Sequence, residues 1–116
     1  MLYYEKKCAG RYRLMKFYRN LYVGSTVTDV NRVKRKLKMN AGQISIFVIA
    51  LCKSRDQLEI YHCALLQQRY YKKNPPYIIG IANGYEEALE IVKQIVEETY
   101  RQNGDCDLKK YLLDKK

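Results

Sequence analysis

Tryptophan is absent, histidine occurs once at His62, and proline occurs only as the adjacent pair Pro75 and Pro76. One histidine leaves a thin inventory for acid–base or nucleophilic chemistry. The four cysteines, Cys8, Cys52, Cys63 and Cys106, include no CxxC pair, which argues against a zinc knuckle or a thioredoxin-like site. The phosphate-binding GxGxxG pattern and a Walker lysine are missing. No apolar run reaches the roughly 18 residues of a membrane span. The longest, residues 44–52, is broken by Ser45 and reads as a strand. A signal peptide is not expected, because no apolar stretch with a small-residue cleavage site appears near the N-terminus, and the expected compartment is the cytoplasm. Without repeats, low-complexity tracts or a Gly/Ser linker, one domain is expected, covering residues 15–116 and preceded by an arm at residues 1–14.

Positive charge is what the chain has in excess. Its 22 Lys and Arg against 12 Asp and Glu give +10 over 116 residues. The excess is uneven: residues 1–42 hold eleven basic residues against Glu5 and Asp29, whereas residues 77–116 hold six against eight acids. Such asymmetry points to a polyanionic partner, namely nucleic acid, an acidic protein or an anionic membrane surface.

The prolines end whatever precedes them, so residues 77–82 begin a new element, apolar on both faces and therefore expected to be a central strand. Asn83-Gly84 turns the chain, and Asn83 with Glu86 forms a capping-box-like pair. The helix that follows carries Tyr85, Ala88, Leu89, Val92, Ile95, Val96 and Tyr100 as its apolar stripe and ends at Asn103-Gly104. Asp105 or Asp107 is expected to cap a last helix through Leu108, Tyr111 and Leu112. Upstream, Leu21-Tyr22-Val23-Gly24 reads as a strand, and Thr28-Asp29 opens a helix with Val30, Val33 and Leu37 inward. Residues 44–52 and 57–61 read as a hairpin in which Cys52 faces Gln57 rather than Cys63, a register that disfavours a disulfide. A short helix fits residues 63–71. The expected fold is α+β and two-layer, in the β-α-β-β-α-β order of a ferredoxin-like domain, with an extra C-terminal helix.

Cationic side chains lie beside aromatic ones in three places, as nucleic-acid surfaces require for phosphate contact and base stacking. The candidate anion contacts are Arg11, Arg13, Arg19, Arg32, Lys34, Arg35, Lys36, Lys38, Lys72 and Lys73, and the candidate stacking residues are Tyr12, Tyr18, Tyr22, Tyr70 and Tyr71. Leu21-Tyr22-Val23-Gly24 resembles the first-strand motif of RNA-recognition domains. The partner motif fails, since Gln57-Leu58-Glu59-Ile60-Tyr61-His62 has no glycine and includes an acid. The plain reading, in which Leu21 and Val23 face a core and Tyr22 faces out, outweighs it. A turn explains residues 80–84 better than an anion cradle, because Glu86 and Glu87 occupy the helix start with negative charge. His62 and Cys63 diverge whether the local backbone is extended or helical, which disfavours a catalytic dyad. The glutamates of the long helix read as a solvated face.

At Gln57-Leu58-Glu59-Ile60 and at Ile79-Gly80-Ile81-Ala82-Asn83-Gly84-Tyr85-Glu86-Glu87-Ala88-Leu89 the chain resembles small uncharacterised bacterial proteins that end in a similar strand-helix unit. That resemblance implies a bacterial, cytoplasmic setting and brings no activity with it. A non-catalytic interaction or assembly module is the leading expectation, with homo-oligomerisation as one form of assembly. Nucleic-acid binding through the basic half comes second, and a small-ligand binder or enzyme third. No cofactor is expected.

Overall fold

The computed structural model describes residues 15–39, 43, 45–52 and 55–114. Its elements in chain order are β1 (Lys16–Val23), α1 (Val30–Lys38), β2 (Ile46–Leu51), β3 (Leu58–His62), a 3₁₀ turn (Cys63–Gln67), α2 (Arg69–Lys73), β4 (Tyr77–Asn83), α3 (Tyr85–Asn103) and α4 (Leu108–Asp114). The class is α+β, around one mixed four-stranded sheet.

The strands lie in the order β1-β4-β2-β3, with β1 parallel to β4 and both other pairings antiparallel. This departs from the ferredoxin-like expectation, in which β1 and β3 are the central pair. Here they are the two edges. Burial explains the exchange: Ile78, Ile79, Ile81 and Ala82 of β4 are all 0% exposed, which only an interior strand achieves. β1 carries exposed Lys16 and Arg19, which suit an edge and discourage pairing with another chain.

Alternation along the strands sends apolar side chains to both sheet faces. On one face Ile49, Leu51 and Ile79 pack with Ala88, Ile91 and Ile95 of α3 and with Leu108, Tyr111 and Leu112 of α4. On the other, Ile46, Val48, Ile78 and Ile81 pack with Leu37 of α1, Leu66 of the 3₁₀ turn and, at the margin, Tyr71 of α2. Helical segments therefore flank both faces. Gly80 sits where α3 crosses the sheet; a Cβ there would approach Ile91 and the Tyr22 carbonyl at 3.2 Å and Ile49 at 3.3 Å, so the residue lets the layers close.

The hairpin has the expected register, with Leu51 opposite Leu58 and the Cys52 amide donating to the Gln57 carbonyl at 2.9 Å. Asp29 caps α1 by accepting from the Arg32 amide at 3.1 Å. The start of α3 differs from expectation. Gly84, at φ 100°, is the cap residue, and Glu87 rather than Glu86 reaches back to the Asn83 amide at 2.7 Å. The buried stripe of α3 is Ala88, Ile91, Ile95 and Thr99, a rotation of the expected stripe that leaves Tyr85, Leu89 and Tyr100 exposed. Thr99 tolerates complete burial because its hydroxyl donates to the Ile95 carbonyl at 2.7 Å. Gly104, at φ 78°, ends the helix with its amide on the Tyr100 carbonyl.

Candidate nucleic-acid interface

Leu37, 3% exposed, and half-buried Val33 turn one stripe of α1 onto the sheet, so its remaining directions are taken by Arg32, Lys34, Arg35, Lys36 and Lys38. The ammonium groups of Lys34 and Lys38 stand 5.1 and 5.6 Å from the centroid of the Phe17 ring on β1. Both are within cation–π range, which draws two like charges one helical turn apart onto one aromatic ring. Arg35, Lys36 and Lys38 also lie in the last turn, where the helix dipole favours cations. That local benefit explains their tolerance but does not neutralise them. Among the described residues none of the five forms an ion pair.

α2 covers the same sheet face near its other edge. Tyr71 packs inward, its ring 5.6 Å from Tyr61, while Tyr70 points out at 64% exposure. Asn74 fastens the end of this short helix by donating from its amide (2.8 Å) and its side chain (3.1 Å) to the Tyr70 carbonyl. Arg69 and Lys73 are exposed and Lys72 is half-buried. Taken together, α1 and α2 carry eight basic residues and no acidic one. α3, on the opposite face, carries five glutamates against Lys93 and Arg101. Beside α3 runs an open groove of about 570 Å³ lined by Val23, Gly24, Glu86, Glu87, Glu90 and Glu97, among others. Its charge repels polyanions.

Of the residues expected from sequence, Arg32, Lys34, Arg35, Lys36, Lys38, Lys72 and Lys73 share the α1–α2 face, and exposed Arg19 lies on edge strand β1. Arg11, Tyr12 and Arg13 lie outside the described residues. Two stacking candidates are corrected. Tyr18 is 5% exposed, within the α3-side core. Tyr22 faces the same way, and its hydroxyl donates to Glu98 Oε1 at 2.6 Å. Burial, reinforced by Glu98, pushes the Tyr22 hydroxyl well above the ordinary phenol value. The first-strand resemblance to RNA-recognition domains fails on the same geometry, since helices cover both faces of the sheet that would have to stack bases. Of the plain reading of this strand, Leu21 does pack inward, on the α1 side, but Tyr22 packs toward α3 and Val23 is the exposed residue at 37%. Phe17 on β1 and Arg69 on α2 join this face without having been expected there from sequence. Strand alternation was the available signal, because in Phe17-Tyr18-Arg19 it puts Phe17, not Tyr18, on the face opposite α3.

The other chemical candidates are occupied. His62 Nδ1 accepts from the Ala64 amide at 3.0 Å, capping the 3₁₀ turn, and its ring meets Phe47 edge-on at 5.1 Å. The Cys63 thiol is buried, which raises its pKa, and donates to the Gln43 carbonyl at 3.1 Å. In the turn before α3, the Gly84 amide donates to the Ser45 carbonyl at 2.8 Å and the Asn83 amide to Glu87, so neither is open to an anion. Among the described residues no group of three or more His, Cys, Asp or Glu side chains is placed to hold a metal ion, and no helix is long and apolar enough to cross a membrane.

The fold and this surface define a small α+β protein with a cationic helical layer on one side of a mixed sheet. Comparison with protein-family models, curated proteins and solved structures gives no match.

Proposed function

We propose that the protein is a non-catalytic interaction module whose cationic layer, formed by α1 and α2, docks nucleic acid. The observation that carries this reading is the segregation of charge: eight basic and no acidic residues on the two helices over one sheet face, against a net acidic α3 over the other. Phosphate neutralisation needs such a surface, and it needs cations free of intramolecular carboxylates.

Titration of labelled oligonucleotides at increasing salt tests it. With about four phosphates neutralised, affinity should fall roughly 50- to 150-fold between 50 and 200 mM salt. Arg32→Glu combined with Arg35→Glu should remove most of the remaining binding, while Glu90→Lys on the opposite layer should leave it intact. Salt-independent binding, or absence of binding at 50 mM salt, overturns the proposal. Capture of polyglutamate in place of oligonucleotide reassigns the face to an acidic protein.

A further inference from the structure

We infer that the nucleic acid taken by this face is single-stranded, and that Tyr70 is the residue on which a base stacks. The inference rests on the reading above and adds a substrate class and a residue to it. Exposing a tyrosine forfeits the burial that its ring would gain in a core, so each exposed ring has to be explained by its setting. Three tyrosines of the described chain are more than half exposed: Tyr70 at 64%, Tyr85 at 52% and Tyr100 at 61%. Tyr85 and Tyr100 lie on α3 among its glutamates, and Tyr85 leans on Phe47 at 5.8 Å. Tyr70 alone is flanked in sequence by cations, with Arg69 before it and Lys73 about one turn on.

Its support is a set of packed neighbours. Tyr71 meets the Tyr70 ring perpendicularly at 5.0 Å and is itself tilted against Tyr61, whose hydroxyl donates to Glu59. The two hydrogen bonds from Asn74 fix the Tyr70 carbonyl, and Pro75 and Pro76 stiffen the chain beyond. A five-residue helix has little stability alone, so these contacts are what hold the ring in place. A pre-positioned aromatic ring beside phosphate-binding cations is the arrangement that single strands use. In a duplex the base faces are already stacked on each other and unavailable to a side chain lying on the surface. α1 complements this arrangement, since Phe17 draws Lys34 and Lys38 inward and its remaining exposed heads suit a backbone rather than a groove.

The test is fluorescence anisotropy with the full-length protein and 12-nucleotide oligo(dT) and oligo(U), each compared with a 12-base-pair duplex at one salt concentration. Both single strands, or one of them, should bind at least fivefold more tightly than duplex, and the difference between the two distinguishes DNA from RNA as the preferred source. Tyr70→Ala should weaken single-strand binding about tenfold, the scale of one base–aromatic stack, and leave duplex binding unchanged. Tyr70→Phe should retain the affinity, with circular dichroism showing both variants folded. If Tyr70→Ala binds single strands as the parent does, or if duplex binds as tightly, the inference falls while the cationic-face reading stands. Loss of binding to all three probes at low salt removes both.

Discussion

The two helical layers use their charged residues differently. On the α3 side, three acidic groups are built into the architecture. Glu98 receives the Tyr22 hydroxyl, Glu87 receives the Thr26 hydroxyl (2.8 Å) and amide (3.1 Å), and Asp56 of the hairpin accepts from the Leu108 and Lys109 amides at 3.0 and 2.7 Å. On the α1–α2 side, among the described residues, the cations make no ion pair, and Lys34 and Lys38 contact Phe17. Charges with internal partners are parts of the fold, whereas charges that repel one another on one face destabilise the native state slightly and persist where an external partner uses them. Substitutions on the two layers should therefore separate into stability effects and binding effects.

The largest expected effect on stability is Ile95→Ala, at the fully buried centre of the α3 stripe. Truncation there should cost about 2–5 kcal/mol, read by urea denaturation. Oligonucleotide affinity per folded molecule should not change. A parallel loss of affinity would show that the two layers are coupled and break the comparison. Asp56→Ala should cost less, about 1–2 kcal/mol, because it strips two amides at the start of α4 of their acceptor. Amide hydrogen exchange localises that effect: protection should fall in α4 before it falls in β4. Uniform loss across the chain would mean that α4 docking is not a separable unit.

Alkaline pH sharpens the contrast further. Tyr22 holds its proton more tightly in the folded state than a free phenol does, first through burial and then through Glu98. Stability that is complete below the unfolded value near 10 should fall as pH rises past it, by at most about 1.4 kcal/mol per pH unit for one group. Tyr22→Phe should flatten that decline in denaturation curves collected between pH 9 and 11. Tyr61 behaves similarly through burial and Glu59, so part of the slope should survive the substitution.

Much of the chain's local structure was readable in advance, and what was hidden shares one physical cause. The β4–α3 unit was legible because prolines, glycines and apolar periodicity are local signals. The cationic helix was legible because its charges lie within nine consecutive residues. Sheet order was not, since nothing local says which apolar strand will find neighbours on both sides. Tyr22 was misplaced because alternation tells which residues share a face but not whether a second helical layer covers that face. The Asp56 cap was invisible because donor and acceptor lie 52 and 53 residues apart. The phase of the α3 stripe failed more narrowly: Ile91 and Thr99 displaced Leu89 and Tyr100 because Thr99 met its hydrogen-bonding need within its own helix.

The smallest predicted effect concerns the junction between those layers. Glu87 joins the turn after β1 to the turn before α3, and Gly24 makes room for it: a Cβ on Gly24 would lie 1.9 Å from Glu87 Oε1. Burial alone would raise the Glu87 carboxyl, but hydrogen bonds from the Asn83 amide, from Thr26 and from the Ser25 hydroxyl outweigh it and hold the pKa below 4.5. Between the lowered folded value and the unfolded one, the unfolded chain binds more protons, so stability rises with pH there. The contribution is complete above about 4.5 and disappears as pH falls through the folded value. Exposure to solvent keeps it below about 1 kcal/mol. Glu87→Gln should therefore lose less stability than the parent between pH 5 and 3. Gly24→Ala should displace the same carboxylate, so the double variant should be less destabilised than the two single changes added together. Additive losses in that cycle, with parallel acid profiles, would separate Gly24 from Glu87 and leave the carboxylate as a surface charge of no structural consequence.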